Sequence, residues 1–242
     1  MLGLMQGDFV TGVYKVTTKI YSAVKAMING ITVVFIPRLS NYIGHNKKGQ
    51  YDDLLNKLLL ALLVVVAPLA IGLIMTSRNV LLLVSGEEYL SGSISLIILA
   101  FTLCIAMVSN VLLNAVLIIF HREKKALQIT TLSSVINVVL NLIFIPIFSL
   151  NGAAFTTLLS ELTVMILALF SVRDILKIKI EIGVIINVLL GCIAIICDCL
   201  FVDTISFSNT MCLFIKVVVS GLVYVLILLP NRTLRQRFMI RK

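Results

Sequence analysis

Long uncharged runs separated by short polar stretches set the pattern of this chain, and within the runs the apolar residues do not alternate with period two. That excludes a membrane β-strand pattern and predicts helices. The run at 58–75 predicts a spanning helix over about 54–76, kinked at Pro68, and the charge-free stretch 89–120 predicts another over about 92–119. Residues 126–160 are uncharged but interrupted by Pro146 and by Asn151-Gly152, which reads as a tight turn between antiparallel helices at about 126–148 and 153–172. Helices at about 182–202 and 209–229 follow. With a first helix from residue 11 to Pro37, which ends it, the chain has seven, and 38–57 is a polar connection.

The first helix departs from the others because it carries three lysines. At about 100° per residue, Thr11, Lys15, Thr18, Lys19, Ser22, Lys25 and Asn29 share one face, and Val13, Val16, Ile20, Ala23, Val24, Met27 and Ile31 the opposite one. A charge at membrane depth costs on the order of 2.5 to 3.5 kcal/mol, so it normally faces a wet cavity or a bound anion. Lys15, Lys19, Lys25, Ser22 and Asn29 are therefore candidate ligands for a negatively charged substrate. A second reading stays open: an amphipathic helix on the membrane surface, its lysines snorkelling to headgroups.

Composition agrees with the run pattern. The 242 residues are 60% hydrophobic, and the mean hydropathy is +1.13. Such a chain is an all-α integral membrane protein, because backbone groups in lipid must be satisfied within helices or a closed barrel. The net charge of +9 does not point to nucleic acid, since 15 of the 20 Lys and Arg fall in 38–57, 121–125, 173–181 and 231–242, alternate connections along the chain. The positive-inside rule makes those segments cytoplasmic, giving a multi-pass cell-membrane protein with its C-terminus inside and residue 8 outside. No cleavable signal peptide is evident at the N-terminus.

Five cysteines, Cys104, Cys192, Cys197, Cys199 and Cys212, lie in apolar runs and read as small hydrophobes. Neither a metal-ligand spacing nor a phosphate loop nor a nucleophile-with-base arrangement is present, so no metal, no cofactor and no enzyme activity is expected.

Polar residues inside the runs are the remaining candidates. Ser109, Asn110 and Asn114 cluster on one helix, and Ser133, Asn137 and Asn141 on the next. They fit either interhelical hydrogen bonding or a cavity lining. Glu161 lies near Thr157 and Ser160 and is either a coupling carboxylate or the partner of a first-helix lysine. Asp198 and Lys216, at similar expected depth on the last two helices, read as an ion pair or as the polar lip of a lipid groove.

Two stretches carry a family resemblance. LGLMQGDFVTGVYKVTTKI followed by VFIPRLS, within 2–39, and NVVLNLIFIPIFSLNGAAFTTLLSEL, over 137–162, resemble the C-terminal half of polysaccharide and O-antigen flippases of the MATE/MOP superfamily. The resemblance covers about 2–172 well and the last two helices more loosely. It implies a transporter of two six-helix lobes around a central cavity, moving polyprenyl-pyrophosphate-linked oligosaccharide outward by alternating access. Residues 1–172 would be the second lobe, lacking most of its first helix, and 173–242 an extra helix pair with a basic tail. In related lipid II flippases such a pair shapes a groove for the prenyl tail. On that mapping the first helix lines the cavity, and Lys15, Lys19 and Lys25 meet the pyrophosphate. The partners expected are the lipid-linked saccharide, membrane lipid and an absent N-terminal lobe, the chain being a fragment of a longer flippase; nucleic acid is not expected. Half of a MATE-type cation antiporter is the alternative, though three lysines disfavour a cation-carrying cavity. A non-transporting membrane interaction protein is a further one.

Overall fold

The computed structural model describes residues 1–177, 181–205 and 208–229. The basic tail 231–242 and part of the 173–181 connection lie outside the described residues. The elements are α1 (Leu2–Gln6), α2 (Asp8–Gly44), α3 (Lys48–Ser85), a 3-10 turn (Glu87–Gly92), α4 (Ser93–Asn110) running into a π-helix (Val111–Ile118), α5 (Glu123–Val172), α6 (Ile182–Asp203) and α7 (Asn209–Leu228). Six helical stretches are long and apolar enough to cross a membrane.

The longest helix is two. Ser149 takes a left-handed φ of 53° inside α5, so its arms, 123–148 and 150–172, each span a bilayer at about 1.5 Å per residue. They run antiparallel: Ser133 Oγ donates to the Ser160 carbonyl at 2.9 Å and Thr156 Oγ1 to Asn141 Oδ1 at 2.6 Å. The reversal therefore falls at Ser149, just ahead of the expected Asn151-Gly152 turn. Gly152 is needed for a different reason, since a Cβ there would lie 2.3 Å from the Phe144 carbonyl oxygen of the other arm. Asn151 begins the second arm and accepts a 2.8 Å hydrogen bond from Ser95 of α4.

Two further boundaries differ from the sequence reading. Pro37 does not end its helix, and 38–57 is not a loop: α2 continues to Gly44, the turn is only 45–47, and α3 begins at Lys48. A proline ring removes one backbone bond, but Leu39, fully buried one turn later, and the Arg38 Nε to Tyr42 Oη bond of 3.1 Å hold the helix across it. At about 55 Å each, α2 and α3 exceed the roughly 30 Å hydrocarbon core, so Arg38, Lys47, Lys48 and Lys57 ride on protruding helix ends. Similarly α3 extends through Arg78 to Ser85, so that segment is helical as well.

One end of the bundle gathers these basic segments. Asn56 donates to the Lys177 carbonyl at 3.0 Å, Tyr51 and Phe120 meet edge to face at 5.2 Å, and Arg122 forks onto Asp174 while also donating to the Ser171 carbonyl at 2.8 Å. The opposite end brings together α1, the 3-10 turn and the α5 bend, through Gln6 to the Ile145 carbonyl and the Phe9–Tyr89 ring pair. Between them lies the main core, built from α2, α3, α4, the π-helix and the second arm of α5 around Ile28, Leu58, Leu103, Val116 and Ala168. The Tyr51 hydroxyl donates at 2.7 Å to the Ala115 carbonyl within the π-helix, and Tyr51 itself is completely buried.

The α6–α7 hairpin docks chiefly on α3. Val184, Val188 and Cys192 pack against Leu60, Val64 and Ala67, and Tyr224 Oη donates to the Val64 carbonyl at 2.6 Å.

Candidate functional site

Two cavities touch α2 at consecutive residues. The first, about 310 Å³, is polar and lies between α2, α4 and both arms of α5, where Lys25, Ser109, Asn110, Ser133, Ser134 and Glu161 contribute to its wall. The second, about 560 Å³, is an apolar groove between α3, α6 and α7, lined among others by Val64, Pro68, Leu69, Ile195 and Val225, and it reaches α2 at Val24.

Lys25 is the lysine of α2 that enters the polar pocket. Its Nζ lies 2.9 Å from Glu161 Oε1 and 5.5 Å from the centre of the Tyr21 ring. Lys15, Lys19 and Ser22 stand exposed on the same helix, while Asn29 is half-buried. The face of α2 that packs inward carries Val13, Thr17, Tyr21, Ile28 and Thr32, so it adjoins the lysine stripe rather than opposing it. Met27, Val33 and Val34 face outward at 79%, 62% and 76% exposure, as expected of lipid-facing positions. Asn29 Oδ1 and Thr32 Oγ1 are buried without a hydrogen-bond partner in the protein.

The asparagine and serine stripes are mostly spent on holding helices together. Ser109 Oγ donates to the Ile105 carbonyl and, at 3.3 Å, to that of Glu161. Asn137 donates to Ser160 Oγ at 2.8 Å, and Asn141 to Asn137 Oδ1 at 2.9 Å, so with Thr156 they form a ladder between the arms of α5. Asn110 lines the pocket, and Asn114 sits half-buried in the π-helix. A π-segment gives no signature in hydropathy, so sequence reasoning missed it.

Asp198 and Lys216 do not pair. The Lys216 ammonium, 1% exposed, bonds Asp203 Oδ1 at 2.6 Å, and Asp198 instead accepts from Ser220. The hairpin register decides this: Ser220 lies opposite Asp198, which places Lys216 against the last turn of α6. Lys216, Ser220 and Cys199 form the polar end of the otherwise apolar groove. Among the described residues no group of three or more His, Cys, Asp or Glu is placed to hold a metal ion.

Comparison with known proteins adds a family. The profile described as "Lipid II flippase MurJ" matches residues 14–224. A probable low-salt glycan biosynthesis flippase, Agl15 of Haloferax volcanii, is 25% identical over 167 residues, covering 66% of this chain and 34% of that protein. The solved structure of lipid II flippase MurJ in its inward closed conformation superposes with a TM-score of 0.77 at 16% identity, over 94% of this chain and 48% of that one. The chain thus spans about a third and about half of the lengths of these two proteins.

Proposed function

Because the chain belongs to the family of the lipid II flippase MurJ, we propose that it is the C-terminal lobe, with its accessory hairpin, of a flippase for a polyprenyl-diphosphate-linked saccharide. Residues 1–172 are the lobe and 173–242 the hairpin with its cytoplasmic tail. An N-terminal lobe completes the cavity, and the lysine face of α2 looks into it. The assembly sits in the cell membrane with its basic end in the cytoplasm, as the positive-inside rule requires.

The observation that carries this reading is the adjacency at α2. Val24 borders an apolar groove able to take a polyprenyl chain, and Lys25 borders a polar pocket. An amphiphile with a long hydrocarbon tail and an anionic, hydroxyl-rich head matches that pair of compartments: the tail is kept from water and the diphosphate meets ammonium groups. The exposed Lys15 and Lys19 extend the cationic track along the helix toward the side of α1. Rocking of two lobes about this site then carries the head across. The finer reading, a surface-polysaccharide or O-antigen glycan, rests on the motifs at 2–39 and 137–162, and the similarity to a glycan-biosynthesis flippase supports it. A cation antiporter is disfavoured by the three lysines on α2.

The test is export by the complete transporter. Lys15, Lys19 and Lys25 changed together to Gln should abolish transfer of the lipid-linked saccharide while the protein still inserts. Export at the normal rate would refute the assignment.

A further inference from the structure

We infer that Glu161 is an exchangeable counter-ion, holding Lys25 while the site is empty and yielding it to the diphosphate of an arriving substrate. The inference rests on the proposed contact between Lys25 and that diphosphate. Lys25 and Glu161 lie 136 residues apart and meet at 2.9 Å, with 28% and 22% of their side chains exposed. A pair so placed is neither sealed in the core nor free in water. It is dry enough for Lys25 to need a counter-charge, and open enough to the 310 Å³ pocket for another anion to reach it.

The competition favours a diphosphate. It brings more than one negative charge and several acceptor oxygens to one ammonium, where Glu161 brings one charge. Displaced, the carboxylate has hydroxyls to turn to, since Thr130, Ser134 and Thr157 line the same pocket. The backbone around Glu161 is fixed meanwhile, because Ser109 bonds its carbonyl and Ser133 that of Ser160. Only the side chain has to move. Its return to Lys25 then helps expel the head on the far side, so the site binds no tighter than a carrier can release.

Binding of undecaprenyl diphosphate to the full chain in lipid nanodiscs tests this. Glu161→Gln should bind it roughly fivefold tighter, because the competitor is gone while the Gln still accepts a hydrogen bond. Lys25→Gln should bind it more weakly, and the double variant should match Lys25→Gln. If Lys25→Gln weakens binding but Glu161→Gln does not tighten it, the exchange is wrong and the diphosphate contact stands. If Lys25→Gln changes nothing, both fall. A measurement on the unaltered chain covers a variant that fails to fold: infrared difference spectra with labelled glutamate should show a carboxylate band moving when undecaprenyl diphosphate is added and staying still with undecaprenol. A still band with the diphosphate overturns the exchange. The same shift with inorganic pyrophosphate would support exchange driven by the anion alone, and a shift with only the lipid form would support exchange that needs the tail in place.

Discussion

Lys216 and Asp203 are bound across the α6–α7 hairpin at 2.6 Å, with the ammonium 1% exposed and the carboxylate 50% exposed. The two ends of this pair are unequal. Removing the carboxylate strands a buried charge, whereas removing the ammonium leaves a carboxylate that water can reach. Asp203→Asn should therefore cost about 2 kcal/mol, and Lys216→Met less than about 1 kcal/mol. Thermal unfolding in detergent measures both, and the opposite ranking would contradict the burial described for this pair.

Closure of the α5 arms makes a steric prediction. A methyl group on Gly152 would meet the Phe144 carbonyl oxygen at 2.3 Å, whereas the same change at Gly12 meets nothing within 4 Å. Gly152→Ala should destabilise the protein by about 3 kcal/mol, and Gly12→Ala by less than about 0.5 kcal/mol. Equal unfolding temperatures for the two would show that the arms are not in contact there.

Outside the membrane, Arg122 holds the carboxyl of Asp174 down from 3.8 to about 2 through their hydrogen bonds. A depressed carboxyl contributes stability above its unfolded value and loses it as the folded form takes up its proton. The difference in unfolding temperature between the unaltered chain and Asp174→Asn should thus be constant above about pH 4 and close as the pH falls toward 2. Because the pair is exposed, its size should shrink with added salt.

The groove can be filled without disturbing the fold. Gly221 lines it, and a Cβ there would meet nothing within 4 Å. Gly221→Phe in the complete transporter should cut export at least tenfold by occupying the space proposed for the prenyl chain. Gly183→Phe, on an open position outside the groove, should not. Equal export by both would detach the groove from transport.

What could be read from the sequence follows from which quantities are local. Uncharged runs located every spanning helix, because the length of hydrocarbon to be crossed is a property of each segment alone. The lysine face of α2 was equally visible, since helical periodicity fixes it. Boundaries failed where packing between segments overrules a local signal. Leu39 and Tyr42 carry α2 through Pro37, and the bend at Ser149 falls before the glycine that would have marked it. Partners across helices were harder still: Asp203 rather than Asp198 meets Lys216 because the offset between α6 and α7 is set by their interface. Glu161 and Lys25 were a stated option, yet choosing Lys25 from three lysines needs the rotation of α2 against α5.

The π-segment Val111–Ile118 has a consequence for chain length. Bonds from i to i+5 accommodate one more residue per turn than the ordinary ladder, so the stretch behaves as a helix into which a residue has been slipped. Losing a single codon there would let it tighten and swivel everything from Ile119 onward by about 100° relative to α4. Phe120 would leave Tyr51, and Arg122 would leave Asp174. A one-residue deletion at this spot would therefore act as a rotation of the whole second portion of the lobe, and it would be felt far from the place where it was made.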